Sequence, residues 1–275
     1  KFYIDTVGRI SEIISNTDSV AGDDLYLSID ADLQKATYIA LEREIAGIVY
    51  SNIKAGNIPI IDVYKALIGN RVIDISHFTE DDASATEKGL YSSFKNTHKN
   101  VQKNIKKELT TSPKALDQMS DETLDEFTHI ISMLKDNGIL LTSEIDTNDE
   151  TYQKWKNQKI SPKEYLNYCI SQQWIDISQL SVDEKYADSS EVYDALCNYI
   201  LDHLKDDKDF DTIIYEYMIA RGDISPRKLC IILFEQGVLD YDDATVNKLK
   251  NGTLAPYDFI MDKINRVEIT PAQLA

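Results

Sequence analysis

A helix–turn unit that occurs more than once is the feature that most constrains how this chain folds. The segment IPIIDVYKALIGNRVIDIS at 58–76 aligns without a gap to ISPKEYLNYCISQQWIDIS at 160–178, with six of nineteen positions identical. A third copy, ISPRKLCIILFEQGVLDYD, occupies 224–242, and a weaker one, LAPYDFIMDKINRVEIT, occupies 254–270. Because the copies start at unequal intervals, the pattern predicts duplicated units with other helices between them, and not a solenoid of fixed period.

Each unit begins like a capped helix. Ser161-Pro162 and Ser225-Pro226 place a hydroxyl that can cap the helix before a proline, which lacks the N–H that a first turn leaves unpaired. Glu164 completes a capping box with Ser161. Apolar residues then recur at helical spacing, and a polar turn and an apolar pair end the unit before an aspartate. We interpret these aspartates as turn or cap acceptors and not as ligands; they are Asp74, Asp176 and Asp240.

Hydrophobic periodicity predicts further helices between the copies. The predicted segments are 30–52, 79–109, 120–135, 190–206 and 210–220, the second with a narrow apolar stripe of Leu90, Phe94, Val101 and Ile105. The N-terminal residues differ, because 2–15 and 25–29 alternate apolar and polar residues as short strands do. The predicted fold class is therefore mainly α, a multi-helix array with repeated capped helix–turn units and a small N-terminal β segment of two or three short strands.

Composition excludes several classes of partner. The 275 residues carry a formal net charge of −18, which argues against nucleic acid and anionic membrane surfaces because phosphate groups require a basic face. No run of roughly 18 apolar residues is present, as a membrane-spanning helix would need. The chain begins at Lys1 without Met or a signal peptide, so we expect an excised fragment. The acidic surface favours a monomer.

The two ends of the chain carry a family resemblance. GRI at 8–10, followed by DDLYLSIDADLQKATYIAL at 23–41, resembles the linker of high-molecular-weight, class B-like penicillin-binding proteins of Firmicute type. In that family a Gly-Arg strand, a loop and a strand–helix unit precede the transpeptidase domain. The most specific match is Ile29, Asp30, Leu33 and Gln34, and EITPAQLA at 268–275 resembles the segment that leads into the first transpeptidase strand.

The resemblance implies two domains, a linker at 1–52 and a helical insertion domain at 53–275. The family passes from this helix almost directly to an apolar strand and an Asp-Pro-x-Thr-Gly turn, whereas here a long helical region intervenes; a large insertion of this type is similar to one in clostridial relatives. The parent would be a serine D,D-transpeptidase acylated by penicillin, which cross-links peptidoglycan in cell-wall biogenesis. The implied location is extracytoplasmic, on the outer face of the cell membrane. The only membrane contact would be the parent's missing N-terminal anchor. The implied partners are the transpeptidase domain in cis and other cell-wall or division proteins.

The catalytic motifs of that family are only imitated in this chain. Ser92–Lys95 and Ser225–Lys228 fit Ser-x-x-Lys, and Tyr50-Ser51-Asn52 and Lys54-Ala55-Gly56 loosely resemble the other two motifs. Their order and spacing are wrong for an α/β transpeptidase domain, so we interpret all four as chance matches. No catalytic residue is predicted, and this fragment is expected not to be an enzyme.

Metal and cofactor signals are equally weak. The four histidines have no His-x-x-x-His or His-Glu pairing; they are His77, His98, His129 and His203. The acidic runs at 145–150 and 206–211 lack the glycine and glutamate of a calcium loop. No phosphate-binding loop is present, so no metal and no cofactor is predicted. Cys169, Cys197 and Cys230 lie in apolar helical patterns and are predicted to be buried free thiols.

Two functions follow as hypotheses. The first is a non-catalytic module that acts as a spacer or a protein-docking surface. The alternative is a carbohydrate- or peptidoglycan-binding module, in which Trp155 and Tyr152 contact the ligand because aromatic faces stack on sugars. Trp174 occupies an apolar repeat position and is predicted to be core. A third class, a helical enzyme with an acid–base pair, would require a pocket with convergent carboxylates of shifted pKa.

Overall fold

The computed structural model describes residues 2–4, 10–13, 30–182 and 187–275 of the chain. These residues are mainly α-helical, which confirms the predicted fold class at that level. The α-helices are α1 (Ala31–Ala55), α2 (Ile60–Gly69), α3 (Ala85–Thr110), α4 (Asp121–Asp136), α5 (Glu150–Lys156), α6 (Pro162–Ser171), α7 (Ser189–His203), α8 (Lys208–Ala220), α9 (Pro226–Glu235), α10 (Asp243–Asn251), α11 (Pro256–Asn265) and α12 (Pro271–Leu274).

The chain divides into two compact units, Lys1–Leu41 and Glu42–Ala275. In the first unit, strands β1 (Phe2–Ile4) and β2 (Ile10–Ile13) pair antiparallel, with Phe2 opposite Ile13. The predicted strand at 25–29 lies outside the described residues, so the complete N-terminal β segment stays a prediction. The predicted domain boundary at residue 52 likewise stays a prediction.

Local capping explains where many of the helices begin. Ser161 and Glu164 form the predicted capping box, in which the Glu164 backbone N–H donates to Ser161 Oγ and the Ser161 N–H donates to Glu164 Oε2. Ser84 forms the same box at the start of α3. Because of this cap, α3 begins at Ala85 and not at Thr79 as predicted. Ser225 occupies the N-cap of α9, but its hydroxyl makes no capping hydrogen bond, so that part of the prediction is wrong.

One turn conformation ends most of the helices. Every residue with a positive φ in the described chain lies at the same place, just after a helix, where the chain turns left-handed. An apolar residue follows two positions later and packs against the core. The left-handed residues are Gly56, Arg71, Gly138, Gln158, Gln173, Gly222, Gly237, Gly252 and Val267. The apolar residues that follow them are Ile58, Ile73, Leu140, Ile160, Ile175, Ile224, Leu239, Leu254 and Ile269.

These turns reveal a period that the sequence alignment missed. Gly222, Gly237, Gly252 and Val267 are spaced fifteen residues apart, which corresponds to one short helix and one connector. The same interval separates Gly56 from Arg71 and Gln158 from Gln173. A fifteen-residue period therefore runs from α8 to α12, although longer helices interrupt it elsewhere and the first three repeat copies start at unequal intervals.

The long helix α3 lies at the centre of the second unit. It packs against α6, α7, α8 and α9, while α2 packs on α8 and α12 returns to α2. The predicted stripe of Leu90, Phe94, Val101 and Ile105 is buried, as expected for a helix that contacts neighbours along its length. None of the described helices is both long and apolar enough to cross a membrane.

The aspartates that end the repeat copies serve the backbone. Asp74 Oδ1 accepts the Ser76 N–H at 2.8 Å, and Asp176 Oδ1 accepts the Ser178 N–H at 2.9 Å, which confirms the predicted turn role for these two residues. In the third copy Asp242, and not Asp240, caps the next helix.

Candidate functional sites

The predicted aromatic pair, Trp155 and Tyr152, lies on α5. The Trp155 ring stacks on the ring of the buried Tyr165, with centroids 4.3 Å apart and planes 5° from parallel. One face of the indole is therefore already covered. Trp155 and Tyr152 both line a cavity of about 200 Å³, which also includes Lys135 and Thr142. The structure thus brings the two predicted residues to one cavity, and their role as ligand contacts stays a prediction.

The look-alike catalytic serines are held by neighbouring carbonyl groups. Ser92 Oγ donates to the Lys88 carbonyl oxygen at 2.9 Å, and Ser51 Oγ donates to the Gly47 carbonyl oxygen at 2.7 Å. Among the described residues, neither hydroxyl has a lysine or histidine within hydrogen-bond distance, as an activated nucleophile would require. These contacts favour the interpretation of the motifs as chance matches.

The cysteines and Trp174 occupy the positions predicted for them. Cys169, Cys197 and Cys230 are buried free thiols, and Trp174 is buried. Burial raises the pKa of Cys169 and of Cys230 to about 12, so both remain protonated near neutral pH.

The histidines are dispersed, as predicted, but one of them has acidic neighbours that the sequence analysis missed. His77 lies beside Glu80 and Asp82, and one potential ligand atom from each residue lies within 4.8 Å of the others. His77 Nδ1 is also 2.7 Å from Glu87 Oε1. A neutral histidine and two carboxylates are a possible donor set for a divalent cation. His77 begins the 3₁₀ turn His77–Thr79 and the two carboxylates follow that turn, a spacing that matches no helical metal motif.

A buried junction around Glu87 ties the first repeat copy to the third. The Glu87 carboxylate accepts the Ser84 backbone N–H at 2.7 Å and the Gln236 side-chain amide at 2.8 Å. Gln236 also exchanges hydrogen bonds with both the N–H and the carbonyl of Asp74, each at 2.9 Å. Burial acts to raise the pKa of Glu87, but these bonds and the one from His77 outweigh it, and the pKa is lowered. Every polar group here has a partner, so the junction is structural.

An apolar groove lies on the surface of the second unit. Its volume is about 360 Å³, and two acidic residues, Glu42 and Asp62, stand among its apolar walls. The walls come from α1, α2, the turn before α2, and α12; they include Ile45, Val49, Ile58, Val63, Pro271 and Leu274. Beside the groove, the amphipathic pattern of α1 leaves Ile45 and Ile48 44% and 59% exposed. No described residue covers these side chains fully.

A second polar feature centres on Glu126 of α4. This side chain is 2% exposed, yet among the described residues it has no hydrogen-bond partner. Burial, together with the negative charges of Glu122 and Asp125, raises the pKa of Glu126 to about 8, against an opposing effect of Arg221. Glu122 and Glu126 both line a further cavity, of about 350 Å³. This cavity therefore meets part of the condition stated above for an enzyme, namely carboxyl groups together with a shifted pKa, although nothing marks Glu126 in the sequence.

No family model, curated protein or solved structure matches this chain.

Proposed function

We propose that the chain is a non-catalytic docking module, and that it belongs to a penicillin-binding protein on the outer face of the cell membrane. The family assignment rests on the resemblance of residues 8–41 and 268–275 to that family's linker. The docking role rests on one structural observation, the apolar groove beside the exposed isoleucines of α1.

The groove supports a protein partner because it combines an apolar surface with unpaired acidic groups. Glu42 Oε2 is shielded from solvent and, within the described residues, has no hydrogen-bond partner. A buried acceptor without a donor is unfavourable, so a partner that supplies a cationic donor would satisfy it. An amphipathic segment with apolar residues and a flanking lysine or arginine would match both the groove and the net charge of −18.

Site-specific photo-crosslinking tests the docking role. Benzoylphenylalanine replaces Ile48 beside the groove in cells that produce the protein, and Lys103 on the exposed side of α3 serves as the matched control position. We expect a discrete crosslinked product from Ile48 and not from Lys103. Equal crosslinking from both positions would contradict the docking role.

The family assignment has its own test. If the native polypeptide that contains this sequence is a transpeptidase, fluorescent penicillin should label it in membranes, and an excess of unlabelled penicillin should prevent the labelling. An unlabelled polypeptide would refute the family assignment and leave the docking role open, because the two tests have separate readouts.

The cavity at Trp155 and Tyr152 supports a second candidate function, peptidoglycan binding. Co-sedimentation with purified sacculi is the measurement, with Trp155→Ala as the test variant. Tyr241→Ala, which removes an exposed aromatic side chain elsewhere, is the control. Binding that depends on Trp155 alone would favour this alternative, whereas equal binding by both variants would exclude this cavity.

A further inference from the structure

The Glu126 cavity lies between α3, the first turns of α4 and the residue that follows α8. Its volume is about 350 Å³, which is within the range of small-ligand sites. The walls are mostly polar and include Thr97, Asn100 and Asn104 from α3. Glu122 and Glu126 from α4 and Arg221 after α8 also line the cavity.

Glu126 is the feature of this cavity that packing does not explain. A buried carboxyl group normally has hydrogen-bond partners, because an unsatisfied polar group in the interior costs free energy. Glu126 is almost fully buried and has none among the described residues, although it lines a cavity large enough for a ligand. The carboxyl oxygens of Glu126 are not fully shielded and the residue lines this cavity, so a ligand bound there can hydrogen-bond to them.

The other walls of the cavity show which chemistry the ligand would have. The Arg221 guanidinium is already paired with Glu122 and with Asp223 Oδ2, the latter at 3.0 Å, so its charge is compensated. Asn100 and Asn104 are exposed residues one helical turn apart, and their side-chain amides have no hydrogen-bond partner among the described residues, so both are open to a ligand. Amides both donate and accept hydrogen bonds, and so does a protonated carboxyl group.

We propose that this cavity binds a neutral saccharide, whose hydroxyl groups donate to and accept from Glu126, Asn100 and Asn104. A hydroxyl group carries one donor and two acceptor sites, which matches amide and carboxylic acid walls. The raised pKa of Glu126 keeps the carboxyl group protonated near neutral pH, so that it can donate a hydrogen bond as well as accept one. The site is separate from the Trp155 cavity and does not depend on the docking role.

Titration calorimetry tests the proposal with two neutral probes, chitotriose and maltotriose, at millimolar concentration. The informative variants are Glu126→Gln, which keeps a neutral donor and acceptor, and Glu126→Leu, which removes both. We expect Gln to retain affinity within a few-fold of wild type and Leu to lose about tenfold or more, since a lost hydrogen-bonding pair is worth about one factor of ten. Asn100→Ala should weaken binding as well, whereas Trp155→Ala should not.

Two outcomes overturn the proposal. The first is that neither oligosaccharide binds, or that one binds equally well to wild type and Glu126→Leu while a thermal melt shows that the variant is folded. The second concerns the charge of the ligand and uses 1,4-diaminobutane as a cationic probe. Binding of this diamine by wild type, but by neither Glu126→Gln nor Glu126→Leu, would show that the cavity selects a cation through an ionised Glu126.

Discussion

Glu126→Gln should stabilise this protein at neutral pH and leave its stability unchanged under acidic conditions. The buried carboxyl group is protonated in the folded state up to about pH 8, whereas in the unfolded chain it titrates near 4.5. The unfolded state therefore binds fewer protons than the folded state between these two values. The contribution that protonated Glu126 makes to the free energy of unfolding is complete below pH 4.5 and is lost as the pH rises towards 8. Glutamine has nearly the same shape and cannot ionise, so the variant does not lose this stability.

The size of the effect follows from the interval between the two pKa values. Each pH unit above the unfolded-state pKa costs about 1.4 kcal/mol, and pH 7 lies about 2.5 units above it. The variant should therefore exceed wild type by about 3 kcal/mol at pH 7 and differ little from it near pH 4.5. The side chain is 2% exposed, and the part that it exposes lines the polar cavity, so solvent in the cavity makes about 3 kcal/mol an upper value.

Urea denaturation across this pH range, followed by circular dichroism, measures the difference. Other groups also titrate in this window, including His129, whose pKa is raised chiefly by its hydrogen bond with Asp207. Their effects cancel when the variant is subtracted from wild type at each pH. Glu144→Gln, which changes a solvent-exposed carboxylate, is the matched control. A constant difference between Glu126→Gln and wild type from acid to neutral pH would refute the reasoning.

Three further substitutions test the packing and the turns by the same denaturation assay. Gln236→Ala should cost about 1–3 kcal/mol, because it removes one of the donors to buried Glu87 and both side-chain hydrogen bonds to the Asp74 backbone. Gln172→Ala, at the equivalent position of the second copy, should change stability by less than about 0.5 kcal/mol, and equal losses would contradict the junction. Val267→Gly should stabilise by about 1 kcal/mol, because a β-branched residue at φ 58° is strained, and a loss would refute that assignment. Ile105→Ala, in the C-terminal part of α3, should cost about 2–5 kcal/mol, and a cost near zero would mean that α3 is not the core helix.

The sequence predicted those features that depend on near neighbours in the chain. The capping box of Ser161 and Glu164 needs only four consecutive residues. Helical periodicity likewise identified the buried face of α3, since the spacing of apolar residues alone defines that face. The Ser225 hydroxyl is the instructive exception, because the residue occupies the predicted position without the predicted bond.

The fifteen-residue period was missed because four of the left-handed positions are not glycine. Arg71, Gln158, Gln173 and Val267 adopt the conformation that Gly222 and Gly252 adopt, although residue type gives no warning of it. The closing hydrogen bonds compensate for the local cost; for example, the Trp174 N–H donates to the Cys169 carbonyl at 2.8 Å. An apolar side chain two positions later then anchors the turn in the core. The turn is thus specified by its anchor as much as by its left-handed residue.

Candidate sites were harder to predict, because their properties come from residues distant in sequence. Gln172 and Gln236 occupy the same position of two repeat copies, yet only Gln236 faces a buried carboxylate. Glu126 lies in a helix rich in acidic residues, and its burial depends on how α4 packs on α8. Trp155 was predicted as a ligand contact, but Tyr165 covers one face of its ring.

The exposed isoleucines of α1 show the same difficulty for a docking surface, because the residues that would bury them cannot be identified from the sequence. An amphipathic pattern predicts that a helix has a face to bury, but it does not identify the surface that buries it. Fully burying an isoleucine is worth about 1.5–3 kcal/mol, and Ile45 and Ile48 are each about half exposed. A partner that covered both would therefore gain roughly 2 kcal/mol from these two side chains, before the groove itself is counted. Replacing both with serine should then weaken partner binding by more than tenfold and leave stability nearly unchanged, which separates a docking face from a core face.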